Sequence, residues 1–280
     1  MILITGATGT IGSEVVRQLA ARGVAVRAMT RDPDRARLPA EVAVVQGDFE
    51  DAESLARVVA GVEAVFLLSA PGPWVPEHDR ALVRAATSGG VRKIVKLSAI
   101  RSSEDGLLGN WHSAGEQAVQ ESGLAWTILR PAGFASNALR WLPMIEAGDP
   151  IPNLTGSGVH ACVDPTDVAA VAVEALLAAE HDGQIYTLTG PELLSVADQV
   201  AQLSAVIGRD LRVIDVPLDI AEQQMLASGL DPAVVAVAIR GAELTRTGAD
   251  KTLSIDVQRV LNRPAATFRA WLEMHRAAFG

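Results

Sequence analysis

The stretch that most constrains this chain is its first turn. MILI is followed at once by GATGTIG and then by SEVVRQLAARG. Met1 to Ile4 is an apolar run bounded by glycine, the pattern of a strand buried in a parallel sheet. From Thr10 the period changes. Ile11, Val15 and Leu19 recur at helical spacing, with Glu14, Arg17, Gln18 and Arg22 on other faces, and Gly23 supplies a stop. The turn therefore joins a strand to a helix. Gly6 permits the tight bend, Gly9 lets backbone approach a pyrophosphate, and Gly12 lets the helix pack closely on the sheet. The helix N-terminus offers free N–H groups and the positive end of its dipole to an anion. Contacts to a dinucleotide are expected along Gly6, Thr8, Gly9, Thr10, Ile11 and Gly12, with hydroxyls from the two threonines. A strand–helix turn without a ligand is the alternative.

The alternation continues. VAVRAMTR (24–31), VAVVQGDF (42–49), EAVFLLSA (63–70), RKIVKLSA (92–99), AWTILRP (125–131) and GQIYTLTG (183–190) read as strands. Helical stretches run near 52–60, 77–88 and 115–123. This order predicts an α/β fold, a doubly wound parallel sheet with helices on both faces.

Composition excludes several classes. The chain has 280 residues, 49% of them hydrophobic, enough for a sizeable core. No apolar run reaches the ~18 residues that would span a bilayer, and the first residues read as strand rather than secretory leader. The single cysteine, Cys162, forbids an internal disulfide. A cytoplasmic, soluble protein with no membrane partner is expected. The net charge of -9 disfavours binding to nucleic acid, which needs a cationic surface. Lysine is confined to Lys93, Lys96 and Lys251. No metal-ligand spacing appears among the five histidines.

The end of the second strand reports on the nucleotide. An acidic residue there takes the ribose hydroxyls of NAD, whereas arginine accommodates a 2′-phosphate. The residues are Thr30 and Arg31, with Arg35 one turn later. NADP(H) is therefore expected as cofactor, with a solvated surface arginine as the alternative for Arg31. Asp48 and Phe49 end the third strand; the carboxylate is placed to accept from the adenine amino group, or to cap a turn. Ser69, Ala70 and Pro71 end the fourth and suit close passage of the cofactor.

GATGTIG, the strand-two arginine, GDFED, VRKIVKLSAI, SGLAWTILRPAGFASN and DPTDVAAVAVEAL together resemble the atypical short-chain dehydrogenase/reductases. More narrowly they resemble the NmrA-like group that includes type 2 NAD(P)H:quinone oxidoreductases. YTLTGPELLS, AVIGRDLRVIDVP and NRPAATFRAWL extend the likeness over almost the whole chain. The resemblance implies a Rossmann domain of residues 1–133 and 159–191, a smaller substrate lobe of 134–158 and 192–280, and NADP(H) in the cleft between them. It also implies that Pro131 to Phe134 lie beside the nicotinamide.

A standard short-chain reductase uses a tyrosine as acid and a lysine four residues later. The only tyrosine, Tyr186, is followed at that spacing by Gly190 and reads as strand filling. Ser98 falls where the resemblance expects the active-site serine. Trp111 and His112 stand where the tyrosine would be, and Gly115 and Glu116 where the lysine would be. HSAGE (112–116) matches a His-x-x-x-Glu segment of the quinone reductase group. Ser98, as hydrogen-bond partner to a carbonyl oxygen, and His112, as a proton donor near neutrality, are the candidate catalytic residues. Capping or packing is the alternative for His112.

RPAGFASNALRWLPMIEAGDPIPNLTGSG (130–158) is expected to line the substrate. Phe134, Asn137, Trp141, Leu142 and Met144 are candidates there, with core packing the alternative for the large side chains. Asp164 reads as a helix cap. The expected protein is an NADPH-dependent reductase of a quinone or polycyclic aromatic ketone, acting as monomer or homodimer on a small aromatic or quinonoid substrate. A non-catalytic NADP(H)-sensing regulator is the alternative from another class, and an epimerising tailoring enzyme a third.

Overall fold

The computed structural model describes residues 1–100, 102 and 107–280, apart from the side chains of 107–110. β1 (Ile2–Ile4) leads through the glycine turn into α1 (Thr10–Ala21). β2 (Val26–Thr30), β3 (Ala43–Gln46), α2 (Ala52–Val59), β4 (Ala64–Leu67), α3 (Val75–Ser88), β5 (Lys93–Leu97), α4 (Leu107–Gln120) and β6 (Ala125–Pro131) follow. Then come β7 (Gly133–Phe134), α5 (Leu142–Ala147), β8 (Ile151–Asn153), β9 (His160–Val163), α6 (Pro165–Leu177) and β10 (Gln184–Leu188). β11 (Leu193–Leu194), α7 (Val196–Ile207), β12 (Val213–Asp215), α8 (Leu218–Ala227), α9 (Pro232–Arg246), α10 (Asp256–Leu261) and α11 (Phe268–Met274) complete the chain. It divides into two compact units. One is Met1–Pro131 with Pro165–Thr187, and the other is Ala132–Asp164 with Leu188–Gly280.

The first unit is built on a seven-stranded sheet in the order β3-β2-β1-β4-β5-β6-β10. Neighbours from β3 to β6 pair in parallel. β4 and β5 are buried at every position, because parallel strands are covered on both faces. α6 packs on α1 over one face, and ten of its residues are buried. Gln18 Nε2 reaches the Thr166 carbonyl at 3.2 Å, and Arg22 meets Glu174 at 2.6 Å. Over the other face, Leu55, Val58 and Val59 of α2, Leu82 and Val83 of α3, and Val119 of α4 share a core with Leu3, Val65 and Ile94 of the sheet. Truncating such a fully buried leucine costs about 2–5 kcal/mol.

α4 differs from the sequence expectation. It begins at Leu107, well ahead of the expected 115–123, and ends at Gln120. Gly115 lies in its interior although glycine is a poor helix former. The reason is steric: a Cβ there would sit 2.0 Å from Asp79 Oδ2 on α3.

In the second unit β7, β9 and β11 form a three-stranded sheet, and β8 pairs with β12 in parallel. Ser195 caps α7 in a reciprocal capping box with Asp198. α7 and α11 pack around Trp271, Leu203, Leu272 and Phe279, and Trp271 is 2% exposed.

Candidate functional site

The strand order reverses between β1 and β4, and in open α/β sheets ligands bind outside the carboxyl ends of the strands at that point. Thr5 ties the two strands together there. Its hydroxyl donates toward the Phe66 and Leu68 carbonyls and accepts the Leu68 N–H at 2.8 Å. Gly6 turns the chain with φ of +58°, a conformation that side chains resist. Gly9 occupies the N-cap of α1, and no side chain caps that helix end. Thr8, Gly9 and Thr10 are exposed, whereas Ile11 is buried in the core. A Cβ on Gly12 would lie 2.1 Å from the Gly6 carbonyl oxygen, so the helix rests directly on the turn. A glycine cradle leading to an uncapped helix N-terminus fits a pyrophosphate.

Arg31 and Arg35 are exposed at the end of β2, and Arg35 Nε stands 3.9 Å from Asp32. Asp48 Oδ1 accepts the Glu50 N–H at 3.1 Å, and Ser54 Oγ bridges to the Asp48 backbone. Asp48 thus closes a turn, the alternative role read for it. Phe49 stacks on His78 with ring centroids 4.7 Å apart. After β4, Ser69 is buried, and Ala70 and Pro71 are exposed. Sequence reasoning missed Trp74, whose indole N–H donates to the Ala70 carbonyl at 2.9 Å and lies over Gly72.

The ends of β5 and β6 carry a buried polar cluster. Lys96 Nζ meets Asp79 Oδ2 at 2.5 Å, each side chain 1% exposed. Burial pushes the Asp79 carboxyl up, with the Lys96 charge pulling the other way. Two residues on, Ser98 projects to the same face of the sheet. Ser98 Oγ and Ser102 Oγ both donate to Glu116 Oε1. Arg130 forks onto the same carboxylate, with Nε at 3.0 Å and a terminal nitrogen at 2.5 Å. Burial pushes the Glu116 carboxyl up, but the bonds from Arg130, Ser102 and Ser98 outweigh it and hold it below its ordinary value. Pro131 is buried at the end of β6, its carbonyl accepting the Ile100 N–H at 2.9 Å.

His112 is not the expected neutral-pH proton donor. Burial, then the Lys96 charge, push its pKa down to about 3, against the pull of Glu116. Its ring is neutral at physiological pH, and Nδ1 is buried with no hydrogen-bond partner among the described residues. Ser98 differs from expectation too: its hydrogen goes to Glu116 rather than standing ready for a carbonyl oxygen. Tyr186 lies buried in β10, its hydroxyl 2.8 Å from His181 Nδ1.

In the second unit Phe134 and Met144 are half-buried and Asn137 is exposed. Trp141 and Leu142 pack against that unit's core, the alternative read for them.

A doubly wound parallel sheet whose first turn is a glycine cradle at a helix N-terminus defines a dinucleotide-binding domain. The chain belongs to the NAD(P)H-binding family, which matches residues 6–179. It is 41% identical, over all of its length and 99% of the relative's, to a (4-alkanoyl-5-oxo-2,5-dihydrofuran-3-yl)methyl phosphate reductase of Streptomyces griseus. It is 38% identical to an NAD(P)H azoreductase of Xenophilus azovorans, over all of this chain and 99% of that one. Among solved structures, the NADPH complex of an Escherichia coli NADPH-dependent quinone oxidoreductase superposes with a TM-score of 0.87 at 26% identity, covering 99% of this chain and 100% of that one. The chain is thus an NAD(P)H-dependent oxidoreductase. Among the described residues no helix is long and apolar enough to cross a membrane.

Proposed function

We propose that this chain is an NADPH-dependent reductase of a planar conjugated acceptor, a quinone ahead of a polycyclic aromatic ketone, working without a Tyr/Lys pair. The carrying observation is that, among the described residues, neither expected acid is poised: the Ser98 hydroxyl is committed to Glu116, and the His112 ring is held in its neutral form. The bound dinucleotide supplies hydride, and the protein's task is to orient the acceptor and exclude water. A quinone spreads the charge it receives over an aromatic system and waits for a proton from water. An isolated ketone becomes a basic alkoxide and needs an acid at once. The names of the relatives, an azoreductase, a quinone oxidoreductase and a reductase of an alkanoyl-oxo-dihydrofuran, support an unsaturated acceptor.

The preference for NADP(H) rests on Arg31, which directly follows β2, and on Arg35 one turn later, with Asp32 turned into the Pro33–Arg35 turn beside Arg35. Ser98 and His112 bound the reacting end.

The test is single-turnover mixing of the NADPH-loaded protein with a naphthoquinone and with a saturated aryl ketone. We expect oxidation by the quinone to be faster by at least about tenfold, the factor that ~1.4 kcal/mol of barrier supplies. Equal rates, or a faster ketone, would remove the reading.

A further inference from the structure

Glu116 does more than fill a buried position. Its carboxylate is 4% exposed and gathers donors from three elements of the first unit. Ser98 approaches from the end of β5, Ser102 from the segment after it, and Arg130 from β6. Arg130 binds in the two-toothed geometry that fixes a carboxylate plane. An ionised carboxylate holds no hydrogen and can only accept.

This fixes the polarity of Ser98. A serine hydroxyl has one hydrogen and two lone pairs. The hydrogen is spent on Glu116, so what Ser98 can still offer is a lone pair. Turning the O–H toward a ligand would break a charge-assisted bond, the strong class, and leave one donor fewer on a buried carboxylate. The carbonyl-polarising serine expected from sequence is reversed into an acceptor.

We propose that Ser98, held in this orientation by Glu116 as its positioning residue, reads a hydroxyl group on the acceptor, so that the substrate class is a hydroxylated quinone or hydroxylated polycyclic aromatic. The inference rests on the reductase reading for the kind of ligand that enters. It adds a donor which that reading does not require. A substrate hydroxyl donates to the Ser98 lone pair, and its own oxygen remains free to accept from water. An ether at the same place presents oxygen against oxygen and is rejected.

The test is a binding titration of the protein–NADP⁺ complex, in which no hydride can move. Two matched ligands are compared in mildly acid buffer. One is a naphthoquinone with a phenolic hydroxyl remote from both carbonyls, and the other is its methyl ether. We expect the hydroxylated ligand to bind about tenfold more tightly, within the range of one hydrogen bond. In Ser98→Ala the pair should bind equally. In Glu116→Gln the gap should narrow, because the amide also donates N–H and lets the serine hydroxyl turn. Equal or weaker binding of the hydroxylated ligand to the unaltered protein overturns the inference. So does a preference that survives in Ser98→Ala, or failure of both ligands to bind. A second arm mixes the same ligands with the NADPH complex. Binding with the expected preference but no oxidation of NADPH would leave the Ser98 assignment standing and remove the reductase reading instead.

Discussion

The Lys96 ammonium and the Asp79 carboxylate meet at 2.5 Å with 1% of each side chain exposed. Such a pair is costly to break by halves, because the surviving charge stays buried and uncompensated. Asp79→Ala should therefore lose about 3–5 kcal/mol of stability. Replacing both partners with apolar residues of similar volume should cost much less. Urea unfolding of the single and double variants measures the difference. If Asp79→Ala and the double variant unfold alike, the two charges are not coupled.

His112 gives a pH dependence of defined sign. Its folded pKa of about 3 lies below the ordinary 6.5, because burial and Lys96 disfavour the charged ring. The unfolded chain therefore binds a proton that the folded chain refuses. The stability linked to this residue is fully present above 6.5 and is lost as pH falls toward 3. The loss should run at about 1.4 kcal/mol per pH unit. Denaturant titrations across mildly acid pH should show His112→Asn losing less stability than the parent. The pH–rate profile for hydride transfer should carry no inflection near 6.5 that His112→Asn abolishes. If one appears, the ring is charged at work.

The two glycines of the first turn should fail in different ways. A Cβ on Gly12 would strike the Gly6 backbone at 2.1 Å, whereas on Gly9 its nearest neighbour is the Gly6 oxygen at 3.3 Å. Gly12→Ala should destabilise the fold by at least the ~1–3 kcal/mol of an overpacked core. Gly9→Val should fold and lose the dinucleotide, whose phosphates need that approach. Thermal melting and nucleotide titration separate the two. Normal NADPH binding by folded Gly9→Val would put the phosphates elsewhere.

Arg31 decides between the two dinucleotides. Arg31→Asp replaces a phosphate partner by a like charge. NADPH affinity should drop by at least about tenfold, with NADH nearly unchanged. Equal losses for both, measured by fluorescence titration, would make Arg31 structural.

Most of the first unit was legible because its signals are local. The apolar run, the glycine turn and the helical period from Thr10 lie within one short stretch, and β1 and α1 follow from them. The start of α4 was not legible, since Gly115 argues for a break and only its closeness to Asp79 explains it. The Glu116 cluster was hidden for another reason. Ser98, Glu116 and Arg130 are distant in sequence, and only the parallel pairing of β5 with β6 brings them together. A signal was available. Lys96 in KIVKL and Arg130 in AWTILRP are charges inside strands that are otherwise nearly apolar. A charge in a covered strand requires a partner. Asking which acidic residue answered each would have pointed toward Asp79 and Glu116.

The fit of Gly115 against Asp79 also limits which chemistry this helix can carry. Lysine at 115 would place its first side-chain carbon 2.0 Å from the Asp79 carboxylate. Lysine at 116 would face Arg130 and strip both serines of their acceptor. The contacts that seat this helix against α3 and β6 therefore leave no room for a tyrosine–lysine pair on it: the packing of the helix and the absence of that acid are one and the same constraint.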